Sequence, residues 1–162
     1  MRSGAITGAT TYATPSDREV VITRVVNAPR RLVFAAWTEP RHLQRWLIGP
    51  EGWSMPICEI DLRPGGRWRY VYRKPSGMEM TLTGSVLEVL PPERLVTTES
   101  WGPEWPETVN AVVLTESGGH TTITLTITYV SKEARDAALG TGAMDGMNQS
   151  FERLEELLDA ER

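Results

Sequence analysis

The segment RLVTTESW, residues 94–101, holds the side chain best placed to do chemistry in this sequence. Read as a strand, it sends Leu95, Thr97, Glu99 and Trp101 to one side, because side chains alternate with a period of two. Leu95 and Trp101 make that side the inward one, so Glu99 becomes an acid in an apolar wall. A carboxyl taken out of water must be hydrogen-bonded or paired, and burial raises its pKa. Such a group can hold the polar end of a ligand or move a proton. The alternative is a Glu99 that pairs with an arginine or sits in water at the strand end.

Other residues gather around it by the same parity. In RWRYVYR, residues 67–73, Trp68, Tyr70 and Tyr72 share one face, with Arg67, Arg69 and Arg73 opposite them as a solvated outer row. Met78, Met80 and Leu82 share a face of the next strand and are also expected to point inward. Trp46 and Trp53 flank a Gly-Pro-Glu-Gly turn, and Trp101 and Trp105 flank a second Gly-Pro-Glu segment. Two aromatic pairs beside turns read as two lips of a cleft, although Trp46 can instead plug the core. Met144, Met147, Phe151, Leu154 and Leu158 recur at helical spacing, and Met144 and Met147 would form the floor, or an ordinary core stripe. The candidate ligand-binding set is therefore Trp46, Trp53, Trp68, Tyr70, Met80, Glu99, Trp101, Met144, Met147 and Phe151. An aromatic-rimmed apolar cleft with a few polar groups describes a small-molecule site.

No catalytic constellation accompanies this cleft. The two histidines, His42 and His120, complete neither a Ser-His-Asp set nor a metal-ligand spacing. Gly65-Gly66 and Gly118-Gly119 are turn pairs without the helix that a phosphate or dinucleotide motif requires. No cofactor and no metal are expected. Glu155 and Glu156 read as solvated charge on the outer side of the last helix.

The elements that must position these residues follow from local pattern. EVVITRVV, residues 19–26, reads as a strand, and Pro29 opens a short helix with Leu32, Val33, Ala36 and Trp37 as its stripe. A second short helix carries Leu43, Trp46 and Leu47 and stops at Gly49-Pro50. Strands separated by Pro- and Gly-rich turns then run to residue 130, the clearest being TTITLTITY with Ile123, Leu125, Ile127 and Tyr129 inward. Ser131 caps a helical turn, and a long amphipathic helix follows from Thr141, with Gly146 inside it. Each element has one apolar face to bury, which a curved sheet around one helix satisfies.

Composition excludes several classes. The 162 residues suit one domain, able to bury roughly 70% of its unfolded surface. A net charge of -4 argues against nucleic acid as a partner. No apolar run is long enough to span a membrane. The single cysteine, Cys58, excludes an internal disulfide and fits a reducing, cytoplasmic setting. Residues 1–18 are expected to be a flexible tail, and 19–162 a single domain.

Several segments resemble a known family. VVNAPRRLVFAAWTEPRHLQRWLIGPEGW, DLRPGGRWRY, VLEVLPPERLVTTESW and KEARDAALGTGAMDGMNQSFERLEELL look like the activator of heat-shock-protein-90 ATPase homologue family, in the family's order and over residues 19–160. That family belongs to the START-like, or SRPBCC, superfamily. The resemblance implies an α+β helix-grip fold: a curved antiparallel sheet of about seven strands wrapped around a long C-terminal helix, with two short helices after the first strand. It also implies a cavity between sheet and helix that in many relatives holds an apolar small molecule. Where the family commonly has a double tryptophan before the Gly-Pro turn, this chain has Trp46-Leu47-Ile48.

Three functions follow from these readings. The first is a module binding a small apolar or aromatic molecule. The second is an aromatase, cyclase or hydrolase using Glu99 and a tyrosine as acid and base. The third is a co-chaperone-like surface contact; Trp105, in an exposed loop, also offers a homodimer contact.

Overall fold

The computed structural model describes residues 10–161. Its elements are β1 (Thr10–Ala13), β2 (Glu19–Val26), α1 (Arg30–Thr38), α2 (Pro40–Trp46), β3 (Ser54–Ile60), β4 (Arg67–Arg73), β5 (Glu79–Leu90), β6 (Arg94–Glu99), β7 (Thr108–Ser117), β8 (His120–Thr128), α3 (Lys132–Leu139) and α4 (Ala143–Glu161). The eight strands form one antiparallel sheet in the order β1-β2-β8-β7-β6-β5-β4-β3.

Half of the tail expected over residues 1–18 is ordered otherwise. Thr10–Ala13 pair with Val21–Arg24 as an edge strand, and the Tyr12 hydroxyl donates to the Met144 carbonyl at 3.1 Å. Residues 1–9 lie outside the described residues. The edge strand explains why the sheet has eight strands where about seven were expected: four residues, TTYA, are too short to announce themselves by alternation.

β5 contributes to the bend of the sheet, as does a register shift between Ser54 and Ile57 of β3. The first half of β5, Glu79–Ser85, pairs with β4, and its second half, from Val86 to Leu90, pairs with β6, with a register shift between Val86 and Glu88. A bulge bends the strand that carries it and strengthens the local twist. Gly84 lies at the same bend. A Cβ there would collide with the Thr98 carbonyl and with the Trp68 indole, whose Nε1 donates to that carbonyl at 3.0 Å.

The concave face of the sheet holds the core. Val20, Ile22 and Val26 of β2 and Ile123 and Leu125 of β8 meet Phe151, Leu154 and Leu158 of α4, all of them buried. Each such side chain contributes roughly 1.5–3 kcal/mol by leaving water. Trp46 and Phe151 belong to this solid part. Trp46 is completely buried, donates its Nε1–H to the Ala36 carbonyl at 2.7 Å, and stacks on Phe151 with centroids 6.3 Å apart. Trp37 meets Trp46 edge-on at 4.9 Å.

One charge lies within that core. Arg24, on the inward row of β2 and only 2% exposed, donates to Glu155 Oε1 through Nε and Nη2 at 2.9 and 2.6 Å. It also reaches Thr10 and Asn148, and its guanidinium lies 5.7 Å from the Phe151 ring centroid. Glu155 is therefore not outer solvated charge. It sits one helical turn beyond Phe151, on the buried stripe of α4, as the counter-charge of Arg24.

Candidate functional site

Towards the N-terminal end of α4 the space between sheet and helix is not filled. A cavity of about 550 Å³ opens there, within the range of small-molecule sites. The cause is side-chain size. Where the middle of α4 presents Phe151 and Leu154, its first two turns present Ala143, Met144, Gly146 and Met147, and α3 adds only Ala134 and Ala138. Gly146 lies at a close approach: a Cβ there would stand 3.1 Å from Pro50 Cδ, a tight contact that Pro50 would have to yield to.

The opposite wall is a continuous run of rings. Trp68 and Tyr70 have centroids 4.4 Å apart, Tyr70 and Tyr72 are edge-to-face at 6.5 Å, and Tyr72 meets Trp53 edge-to-face at 6.5 Å. Strand parity of β4 produces it, with Arg69 and Arg73 on the outer face paired to Glu59 and Glu79. Met80, Leu82, Leu95 and Thr97 continue the wall.

The lips are fastened. In the segment 47–53, Gly49 N–H donates to Ser150 Oγ at 3.0 Å, and Glu51 N–H donates to Gln149 Oε1 at 3.1 Å. Arg153 donates to the Gly49 carbonyl at 2.7 Å, and the Tyr72 hydroxyl donates to the Leu47 carbonyl at 3.0 Å. The facing lip carries Trp101 and Trp105, which are 41% and 39% exposed although both line the cavity.

Glu99 stands in the wall as its parity predicts. Oε1 accepts from Trp101 Nε1 at 2.8 Å and Oε2 from Asn110 Nδ2 at 3.3 Å. Asn110 is held in that orientation by Thr108, whose hydroxyl donates to Asn110 Oδ1 at 3.0 Å. Burial raises the Glu99 pKa, while the hydrogen bonds from Trp101 and Asn110 pull it down. No arginine pairs with Glu99 and no tyrosine hydroxyl bonds to it among the described residues, so the acid–base pairing of Glu99 with a tyrosine is not formed here.

Three tyrosines share the electrostatics of Glu99. Tyr70 is pushed well above 10 by burial, then by Cys58, Tyr72 and Glu99. Tyr72 is raised by burial and then by Glu99, and Tyr129 likewise. All three are neutral at physiological pH. Cys58, paired with Tyr70 across β3 and β4, is pushed up to about 11 by burial and Glu59, so its thiol is protonated and a poor nucleophile.

Of the ten residues singled out from the sequence, Trp53, Trp68, Tyr70, Met80, Glu99, Trp101, Met144 and Met147 line this cavity. Trp46 and Phe151 do not; they fill the solid core described above. Met78, expected inward, is 59% exposed, because β5 begins only at Glu79 and Met78 belongs to the hairpin turn. Sequence reasoning missed Asn110 and Trp37. Asn110 shares parity with the buried Val112 and Leu114, a signal that could have found it. Among the described residues no group of three or more His, Cys, Asp or Glu side chains could hold a metal, and no helix is long and apolar enough to cross a membrane.

A helix-gripping sheet with a cavity under the first turns of its last helix defines a START-like domain. A family model described as activator of Hsp90 ATPase homolog 1-like protein matches residues 27–159, and the chain belongs to that family. A Rhodobacter sphaeroides protein of known crystal structure is similar at 29% identity, over 94% of this chain and 99% of its own, with a TM-score of 0.87. A Nitrosomonas europaea protein is 28% identical over 91% and 98% of the two chains, with a TM-score of 0.82. A Mycobacterium smegmatis protein is 25% identical over 93% and 97%, also at 0.82. No curated protein matches the chain.

Proposed function

We propose that this protein is a binding module that holds one small apolar or aromatic molecule between the β4 aromatic wall and the first turns of α4. The observation that carries the reading is the cavity itself: about 550 Å³, walled by rings and thioethers, with Glu99 and Asn110 at a polar end. Fixed rings and flexible methionines on opposite walls suit an apolar occupant whose shape the methionines can follow. The reading includes a cytoplasmic setting, which a single protonated cysteine suits.

The test is native mass spectrometry and tryptophan fluorescence on the purified chain against apolar and aromatic metabolites, repeated with Met147→Trp. Saturable one-to-one binding that disappears when Met147→Trp fills the space is the expected result. No binding to the well-folded protein, or binding indifferent to Met147→Trp, overturns the reading. Acid–base catalysis by Glu99 is the second reading, favoured by its raised carboxyl inside the cavity. Turnover of a bound compound that is lost in Glu99→Gln would bring it forward.

A further inference from the structure

The charge distribution around the cavity narrows the class of ligand, and this step rests on the binding reading above. Among the described residues that line the cavity there is no lysine, arginine or histidine, and Glu99 is the one carboxylate. Two cations that touch lining residues stay outside the lining themselves: Lys74 lies over the Trp53 ring at 5.0 Å, and Arg153 is tied to the Gly49 carbonyl.

Both oxygens of Glu99 receive N–H donors, the pattern of an acceptor-only carboxylate. A carboxylate has about four lone-pair sites, so two protein donors leave others for a donor in the cavity. The Tyr70 and Tyr129 hydroxyls make no hydrogen bond to protein among the described residues and can accept from the same ligand. Aromatic ring faces attract cations, and the rings of Trp53, Trp68, Tyr70 and Tyr72 line that space. One lip adds to the bias: residues 101–107 carry Glu104 and Glu107 and no basic residue, whereas at the 47–53 lip Glu51 is offset by Lys74 over Trp53 and Arg153 on the Gly49 carbonyl. With a net charge of -4 overall, the approach favours cations as well.

An acid would meet the opposite conditions. Its carboxylate or phosphate would leave water for a site with no counter-charge, beside an existing negative group, and a buried unpaired charge is costly. We propose that the cavity takes an organic cation: a protonated amine or amidine on an aromatic or alicyclic skeleton, with its N–H donors on Glu99 and its rings against the β4 wall.

The test uses three probes of one shape and different charge: naphthylmethylamine, naphthylmethanol and naphthoate, titrated into the full chain by calorimetry at neutral pH. The expected order is amine first, alcohol about tenfold weaker, and naphthoate without measurable binding. In Glu99→Gln, checked for folding by thermal melt, the amine and alcohol should bind alike. Binding of all three at similar strength, or naphthoate ahead of the amine, overturns the cation assignment and leaves the binding reading standing. Failure of all three to bind overturns the binding reading and this one with it. The series on the unaltered chain decides the matter even if Glu99→Gln does not fold.

Discussion

Two aromatic groups lie under α4, and they do opposite things. Trp37, Trp46 and Phe151 close on one another beneath the short helices and fill their space. Trp53, Trp68, Tyr70 and Tyr72 line up just as tightly along the sheet but face a void. The difference lies in what the helix sets against them: Phe151, Leu154 and Leu158 at one end, Ala143, Met144, Gly146 and Met147 at the other. Rings alone therefore do not announce a binding site. A site forms where one wall is large and rigid and the other is small or flexible.

The contrast breaks most visibly at the filled end. Trp46→Ala is expected to cost about 3–5 kcal/mol in denaturant unfolding, because a large cavity opens and the Ala36 carbonyl loses its donor. Tyr70→Phe, which removes a hydroxyl without a protein partner from the hollow end, should change stability by less than about 0.5 kcal/mol. Equal costs at the two ends would erase the distinction. Glu155→Ala should cost about 3 kcal/mol in the same measurement, since it strips Arg24 of its counter-charge inside the core. A near-zero cost would mean that Thr10 and Asn148 suffice.

Filling the hollow end sharpens the comparison further. Overpacking costs a filled core about 1–3 kcal/mol, but Met147→Trp has space to enter and should stay within about 1 kcal/mol of the unaltered protein in thermal unfolding. A larger loss would show that the void is not available to a side chain.

The smallest effect is a pH dependence. Burial holds the Glu99 pKa above its unfolded value, so the folded state binds the proton more tightly. Stability contributed in this way is present below the unfolded carboxyl pKa of about 4.3 and is lost as pH rises through the folded value. Thermal melts should therefore show Glu99→Gln gaining on the unaltered chain as pH rises from about 4 towards neutrality. A gap that moves the other way would mean that the Trp101 and Asn110 hydrogen bonds outweigh desolvation.

Much of the contrast was legible in the sequence, and its limits have physical causes. Alternation in β4, β6 and β8 gave the inward faces correctly, because a sheet with one buried face fixes parity strictly. Helical periodicity named the stripe Met144, Met147, Phe151 and Leu154, but it specifies a face and says nothing of depth along the axis. Periodicity thus groups Phe151 with the cavity, whereas it belongs to the core. Trp46 could not be placed until the packing of α1 against α2 gave its indole the Ala36 carbonyl. Glu155 reads as solvated charge because its partner, Arg24, comes from a strand 131 residues away. The family resemblance supplied the helix-grip architecture that local pattern alone suggested without specifying.

The central claim, one filled end and one hollow end, can be read directly from the six tryptophans. Fluorotryptophan NMR during titration with naphthylmethylamine would follow each of them in one experiment. Trp53, Trp68, Trp101 and Trp105 should shift in a saturable, one-to-one manner, Trp37 less because it touches both regions, and Trp46 not at all. Movement of Trp46 together with the others, or no movement of the cavity tryptophans, would contradict the account.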